Sequence, residues 1–293
     1  MQNRRVWVLG AVCALVCVPG LFGAHAWLEN SDVDRYVEMT RGWSVEAPFR
    51  FRPLVPWIAS LLVFEPVTSL RVVSAVSTLG AFACVDRTVG RLGGDRVRAA
   101  LLFVCGFPVA AYGASGYIDA AVLLVLAAGT WAIVADAWLA LAAVVAVGSA
   151  VSEKTVILLT VAAAARMPWR RLVIIAAIFV GTQLALRQGS TIGWWPARAM
   201  VRPNLTPGRW VRIALSFGVP AWLALPKLRH APRLLVVGFA AVVAMIGYGV
   251  FSARMDGRFA WLAAPFTVPI AVTGSRLRKT APPPPEQRPP ARS

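Results

Sequence analysis

Apolar runs of membrane-spanning length recur along the whole chain and are separated by short polar segments. The first run covers residues 6–27, and later ones include residues 67–85, 118–135 and 234–252. A helix needs about 20 apolar residues to cross the hydrocarbon core of a bilayer. The runs are continuous, whereas a half-buried strand would alternate polar and apolar residues. The pattern therefore predicts an all-α protein, a polytopic transmembrane helical bundle.

The polar breaks between the runs predict the topology. About ten spans are expected over residues 1–275, with a short outer half-helix at 53–64 that is too short to cross a bilayer. Residues 137–151 and 156–165 predict a helical hairpin with its tip near the outer surface. Clusters of Lys and Arg mark the cytoplasmic side; they lie at residues 4–5, 87–98, 166–171 and 227–233 and after residue 276. Both termini are therefore predicted to be cytoplasmic.

The two ends of the chain carry signals of their own. The first run also fits a signal peptide, because Arg4 and Arg5 precede it and Ala24-His25-Ala26 fits a cleavage site. Its length and the spans that follow favour an uncleaved anchor. Residues 276–293 are basic and rich in proline, a composition that predicts a disordered cytoplasmic tail outside the helical domain of residues 1–275.

The composition agrees with a membrane protein. Hydrophobic residues make up 58% of the chain and charged residues only 15%, with a mean hydropathy of +0.66. The net charge of +17 would suggest nucleic-acid binding in a soluble protein, but Lys and Arg also accumulate in cytoplasmic loops of membrane proteins. No nucleic-acid partner is therefore predicted. The cysteines lie inside apolar runs and the histidines are isolated, so neither a metal nor a cofactor is expected. The abundance of Ala, Val and Arg indicates a GC-rich bacterium, and hence its plasma membrane as the location.

The most unusual polar segment follows the first apolar run. It carries Asp32, Asp34 and Tyr36, and the arginines Arg50 and Arg52 come shortly after it. Ionisable groups next to a bilayer are costly, so a cluster of them on the outer face indicates a function. Two further outer turns carry charges that we expect to join this segment: Glu153 with Lys154, and Arg254 with Asp256 and Arg258.

These residue types suit the transfer of a sugar from a lipid phosphate. A carboxylate can take the proton of an acceptor hydroxyl, and arginines beside it can hold the phosphate leaving group and neutralise its charge. The predicted topology also puts more cations than carboxylates on the outer face. An anionic ligand such as a phosphate would balance that excess.

The ordered set of motifs resembles the GT-C superfamily of integral membrane glycosyltransferases. The residues that carry the resemblance are Asp34-Arg35-Tyr36, residues 48–57 (PFRFRPLVPW), Gly116-Tyr117-Ile118-Asp119, Ser152-Glu153-Lys154-Thr155 and Asp256-Gly257-Arg258. The resemblance implies a catalytic acidic residue in the first outer loop, a polyprenyl-phosphate-linked sugar as donor, and no metal. It makes Asp34 the expected base and Asp32 its partner. The expected substrate and phosphate contacts are Tyr36, Arg50, Arg52, Glu153, Lys154, Arg254, Asp256 and Arg258.

The resulting expectation is a membrane glycosyltransferase that moves the sugar to a hydroxyl of an envelope glycan or lipid on the outer face. A transporter or flippase for an anionic lipid-linked substrate is the alternative, and it would use the same arginines without a base. A structural membrane subunit whose tail recruits a cytoplasmic partner is a third. Simpler roles also exist for single residues: Arg50 and Arg52 can reach lipid headgroups, Glu153 and Lys154 can pair with each other, and Asp119 can cap its helix.

Overall fold

The fold is helical, as the apolar runs predict. A computed structural model describes residues 2–21, 31–46, 48–188, 204–252 and 257–273, and these ranges contain no strand. The predicted tail at 276–293, together with Arg254 and Asp256, lies outside the described residues.

The described helices range from single turns to more than six turns. In chain order they are α1 (Gln2–Leu21), α2 (Ser31–Thr40), α3 (Leu54–Ser60), α4 (Pro66–Arg91), α5 (Arg96–Val104), α6 (Phe107–Tyr112), α7 (Asp119–Val134), α8 (Trp138–Val151), α9 (Ile157–Ala164), α10 (Trp169–Leu186), α11 (Pro207–Ala224), α12 (Arg233–Ser252), α13 (Arg258–Trp261) and α14 (Ala264–Val272). Three short 3-10 segments complete them: Phe49–Phe51, Glu153–Val156 and Leu225–His230.

Three helical segments are long and apolar enough to cross a membrane. They are Pro66–Arg91, Trp169–Leu186 and Pro207–His230, whereas α1, α7, α8 and α12 hold shorter apolar stretches. Only 11% of the apolar stretch of α10 is buried inside the protein, so most of the surface of this helix faces outward. Exposed apolar surface costs about 25 cal/mol of free energy per Å² in water. The outward-facing surface of α10 is therefore suited to contact with lipid. The finer expectation of about ten spans stays a prediction.

The acidic segment after the first apolar run is a helix and not an open loop. In α2, Val33, Tyr36 and Val37 are buried, at the i, i+3, i+4 spacing of a helical core face. Asp32 and Asp34 lie in its first turn, where carboxylates interact favourably with the helix dipole. The half-helix expected at 53–64 is the short α3. The chain thus places two short helices at the end of the bundle where the charged residues gather.

Helix α7 lies in the middle of the bundle. It contacts α4, α8, α9 and α14, and it is apolar on every side, as a fully buried helix must be. Small residues allow close approach: Gly129 faces the side chain of Leu158, and a side chain at Gly80 would meet Leu124. The helix begins at Asp119, so this central position carries a carboxylate into the protein.

Side-chain hydrogen bonds hold the segment that leads into α7. From α4, the Ser74 hydroxyl donates to the carbonyl of Tyr117 at 2.9 Å, and the Thr78 hydroxyl donates to the carbonyl of Gly113, also at 2.9 Å. Between them Gly116 has a φ of +86°, a conformation that glycine adopts without strain. The connection therefore fixes where Tyr117 and Asp119 point.

We expect Gly238→Ala to destabilise the protein, because a methyl group on Gly238 would lie closer to the Phe266 ring than packed carbon atoms approach. Overpacking of this kind costs about 1–3 kcal/mol. Gly247→Ala in the same helix is the control, since nothing lies within 4 Å of its added methyl group. It should stabilise by up to about 1 kcal/mol through helix propensity. Denaturant unfolding in detergent measures both, and equal effects would contradict this packing.

Candidate functional site

A network of ion pairs joins residues that are far apart in the sequence. It contains Asp32 of α2, Asp119 at the start of α7, and Arg258 at the start of α13. The 3-10 segment Glu153–Val156 adds Lys154, which pairs with Asp119, and Glu153. Arg52, just before α3, pairs with Glu153. The sequence predicts that the segments carrying Asp32, Glu153 with Lys154, and Arg258 converge, and the structure brings these residues together through Asp119 and Arg52.

Asp119 is the centre of this network. Its Oδ1 accepts a hydrogen bond from Lys154 Nζ at 2.7 Å, and its Oδ2 lies 3.6 Å from Arg258 Nη1. The side chains of Asp119, Lys154 and Arg258 are 7%, 9% and 10% exposed. A charge buried so deeply is tolerated only when it is paired and hydrogen-bonded. Lys154 therefore depends on Asp119 for its charge partner, and Arg258 shares this carboxylate with Lys154.

Aromatic rings hold the two cations in place. The Arg258 guanidinium lies 3.8 Å from the centroid of the Tyr117 ring, and Lys154 Nζ lies 4.2 Å from that of Phe259. Both distances are within the range at which the face of a ring attracts a cation. Tyr117 precedes the α7 residue Asp119, and Phe259 follows Arg258, so each ring comes from a segment that also supplies a charge.

Like Glu153, whose side chain is 38% exposed, Asp32 is a partly exposed carboxylate of the network. Its Oδ2 accepts a hydrogen bond from Arg258 Nη2 at 2.9 Å, and its side chain is 35% exposed. Arg258 thus bridges two carboxylates in different environments: Asp119 is buried, whereas Asp32 is partly exposed.

Arg52, Glu153 and Tyr36 form the other half of the network. Arg52 pairs with Glu153 through two nitrogens, one of them Nε at 3.1 Å from Oε2, and its Nη1 donates to the Tyr36 hydroxyl at 3.4 Å. Burial by itself would raise the pKa of Glu153, but the Arg52 guanidinium outweighs burial and lowers that pKa to about 2. Burial raises the pKa of Tyr36 to about 12. Tyr36 therefore stays a neutral phenol at physiological pH.

The turn between α8 and α9 links the two halves. Ser152 has extended backbone, and its hydroxyl accepts a hydrogen bond from the backbone N–H of Lys154 at 3.3 Å. This cap directs the neighbouring side chains of Glu153 and Lys154 to different partners, Arg52 and Asp119 respectively. The simpler alternative, in which Glu153 and Lys154 pair with each other, is thus replaced by two longer-range pairs.

The structure separates Asp34 from the residues with which it was expected to act. Neighbours two apart on a helix point about 200° away from each other, so Asp34 is exposed while Asp32 faces Arg258. Arg50 is also exposed and lies outside the network; its guanidinium is 5.1 Å from the centroid of the Phe51 ring. Arg254 and Asp256 fall outside the described residues.

Sequence reasoning missed the role of Asp119, which it treated as a helix cap. The signal available was its position, since an acidic residue opening an otherwise continuous apolar run needs a buried partner. The carboxylates of the network (Asp32, Asp119, Glu153) equal its cations (Arg52, Lys154, Arg258) in number. An anionic ligand is thus not needed to balance this network. In the described part of the chain no group of His, Cys, Asp or Glu could hold a metal ion.

Asp119→Asn should lower the free energy of unfolding by about 3–5 kcal/mol, because it leaves the buried Lys154 without a carboxylate partner and Arg258 with Asp32 alone. Asp34→Asn is the control, since the exposed carboxylate makes no comparable contact, and it should change stability by less than about 1 kcal/mol. Denaturant unfolding in detergent measures the difference. If both variants were equally stable, Asp119 would not be the centre of the network.

Comparisons with known proteins bear on the whole chain. No protein-family model matches it, and neither a curated protein nor a solved structure shows significant similarity. The arrangement of the side chains described above is the observation on which a function can be proposed.

Proposed function

We propose that the protein is a membrane glycosyltransferase that moves a sugar from a polyprenyl-phosphate donor to a hydroxyl of an envelope glycan or lipid. The observation that carries the proposal is the accessible carboxylate of Asp32, held at 2.9 Å by a buried arginine at the edge of an ion-pair network. An accessible base next to a fixed cation is what acid–base catalysis with an anionic leaving group requires.

In the proposed reaction Asp32 is the general base. The acceptor hydroxyl gives its proton to the carboxylate as its oxygen forms a bond to the anomeric carbon of the sugar. The bond between that carbon and the phosphate oxygen breaks, and the electron pair leaves with the polyprenyl phosphate. The sequence predicts Asp34 as the base. The proposal assigns this role to Asp32 instead, because Asp32 faces the network and Asp34 does not.

In this proposal Arg258 links proton transfer to Asp32 with the departure of the phosphate. While Asp32 is ionised, it shares the Arg258 guanidinium with Asp119. Once Asp32 has taken the proton it is neutral, so the positive charge of Arg258 is no longer matched on that side. This happens as the leaving phosphate gains negative charge, which the guanidinium can then stabilise. Lys154 and Arg52 stay paired with Asp119 and Glu153 and position the site.

The finer features of the sequence interpretation belong to the same proposal. They are the likeness to the GT-C superfamily, about ten spans, cytoplasmic termini, and a bacterial plasma membrane with the site on its outer face. The three helices long enough to cross a membrane support the membrane location. Several short helices around the charged residues support a site at one end of the bundle.

Asp32→Asn should reduce sugar transfer by at least about 100-fold, because an amide cannot accept the proton of the acceptor. The assay follows transfer from a polyprenyl-phosphate-linked sugar by purified protein in lipid vesicles. Asp34→Asn, on the same helix, is the matched control and should retain activity. The Asn variants must elute and unfold like the unsubstituted protein. Full activity of the Asp32→Asn variant would contradict the assignment of Asp32 as the base. Loss of activity in the Asp34→Asn variant alone would indicate that Asp34 is the base.

A lipid-linked-substrate transporter is the second candidate, and a broken helix favours it. Helix α11 is interrupted at Gly218, where φ is 64° and ψ is 179°, two residues before Pro220. Nearby the buried Ser216 hydroxyl makes no hydrogen bond within the described residues. Discontinuous helices often line transport sites. If vesicles showed movement of the lipid-linked sugar between leaflets and no transfer, this candidate would replace the enzyme.

A further inference from the structure

An open groove lies between the C-terminal end of α2 and the short helix α3. Its volume is about 430 Å³, within the range of about 300–1,000 Å³ that is typical of small-molecule sites. The lining includes two tryptophans, one arginine and three hydroxyl side chains, namely Trp43, Trp57, Arg50, Thr40, Ser44 and Ser60. The charged residues of the ion-pair network do not line the groove. The groove is therefore a feature separate from the network.

The end of α2 holds Trp43 in the lining of the groove. Gly42 has a φ of +78°, and its N–H donates to the carbonyl of Met39 at 3.0 Å. The Trp43 N–H donates to the carbonyl of Glu38, also at 3.0 Å. These two bonds form the Schellman motif, which ends a helix at a left-handed glycine. The Arg41 guanidinium lies 5.7 Å from the centroid of the Trp43 ring, yet Trp43 is 59% exposed. Trp43 is thus fixed at its backbone and open at its side chain.

Helix α3 holds the second tryptophan of the groove in a similar way. The Trp57 N–H donates to the carbonyl of Pro53 at 2.9 Å, and the Ser60 hydroxyl donates to the carbonyl of Trp57 at 2.7 Å. Pro53 and Pro56 also line the groove, and the proline ring restricts the backbone of this segment. Trp57 is 58% exposed. The groove therefore presents two open indole rings on backbone that is already ordered.

Arg50 gives the groove a positive charge. Its guanidinium lies 5.1 Å from the centroid of the neighbouring Phe51 ring, a distance at which the ring attracts the cation. Among the described residues no carboxylate forms an ion pair with Arg50, and no acidic residue of that part of the chain lines the groove. A carboxylate on a ligand would supply the missing charge, since a guanidinium can bind both oxygens of a carboxylate.

We propose that this groove binds an acidic saccharide chain, with sugar rings against Trp43 and Trp57 and a sugar carboxylate at Arg50. The C–H face of a pyranose ring is apolar and packs against an indole ring, whereas the hydroxyls at its edge need hydrogen-bonding partners. The hydroxyls of Thr40 and Ser60 donate to backbone carbonyls. Their lone pairs therefore remain able to accept hydrogen bonds from sugar hydroxyls.

The position of the groove connects it with Asp32. The proposal rests on the proposed function, whose acceptor it identifies as an envelope glycan and not a lipid. Met39, which lines the groove, follows Asp32 by seven residues on α2, so both lie on the same face of the helix. Two helical turns, about 11 Å, separate them along the helix axis. A saccharide chain held in the groove can extend along α2 and bring the hydroxyl of its terminal sugar to Asp32.

Calorimetric titration of the purified full-length protein, in discs of zwitterionic lipid, tests the proposal. The probes are trimers of glucuronate and of galacturonate, and the methyl esters of both, which keep the sugar and remove the charge. We expect at least one uronate trimer to bind. Trp43→Ala and Trp57→Ala should each weaken that binding about tenfold, because each removes a stacking surface. Arg50→Gln should weaken binding of the uronate about tenfold and leave binding of its ester unchanged.

Trp169→Ala is the matched control for the two tryptophan variants. Trp169 is 70% exposed and also lies beside an arginine, with the Arg170 guanidinium 5.8 Å from its ring centroid, but it does not line the groove. This variant should bind the uronate like the unsubstituted protein. An equal loss in Trp169→Ala would reject the groove and would indicate tryptophans that only anchor the protein at the lipid surface.

The remaining outcomes separate the groove from the enzyme. Absence of saturable binding by both uronates would reject the site, and equal binding of uronate and ester would reject the acidic ligand. The transfer assay on Asp32→Asn judges the enzyme independently. Binding of a uronate that depends on both tryptophans, without any sugar transfer, would reject the enzyme and keep the groove. Full transfer activity in both Trp43→Ala and Trp57→Ala would keep the enzyme and reject the groove as its acceptor site.

Discussion

The burial of a carboxylate at the start of the central helix is the constraint on which the site depends. Asp119 is fixed by α7, and its charge must be matched inside the protein because water does not reach it. Lys154 and Arg258 supply that match from segments before α9 and at the start of α13. The need to neutralise one buried charge thus brings three parts of the chain together, and Asp32 joins them through Arg258.

Charge balance then decides how the site can act. A network with equal numbers of carboxylates and cations has little attraction for an anion at rest. In the proposed reaction the network gains that attraction when Asp32 becomes neutral, which would link proton transfer at Asp32 to charge stabilisation by Arg258.

Much of the fold and part of the site can be predicted from the sequence. The continuous apolar runs predict α7 and α8, and the polar break between 151 and 156 predicts the turn that carries Glu153 and Lys154. The choice between Asp32 and Asp34 depends on whether their segment is helical, and polar composition alone does not fix that. The pairs of Asp119 could not be read from the sequence, because its partners are distant and charge pairing leaves no periodic pattern.

We propose that function, more than stability, accounts for the buried ion-pair network. Replacing buried ion pairs with apolar side chains of similar volume is often neutral or stabilising, since desolvation of two ions offsets their attraction. The buried side chains of the described residues are mostly apolar, so the bundle need not contain Asp119, Lys154 and Arg258 in order to fold. What an apolar substitute cannot do is hold a cation beside an accessible carboxylate. In the proposed function the energetic cost of burying these charges is offset because Asp32 and Arg258 act together on the substrate.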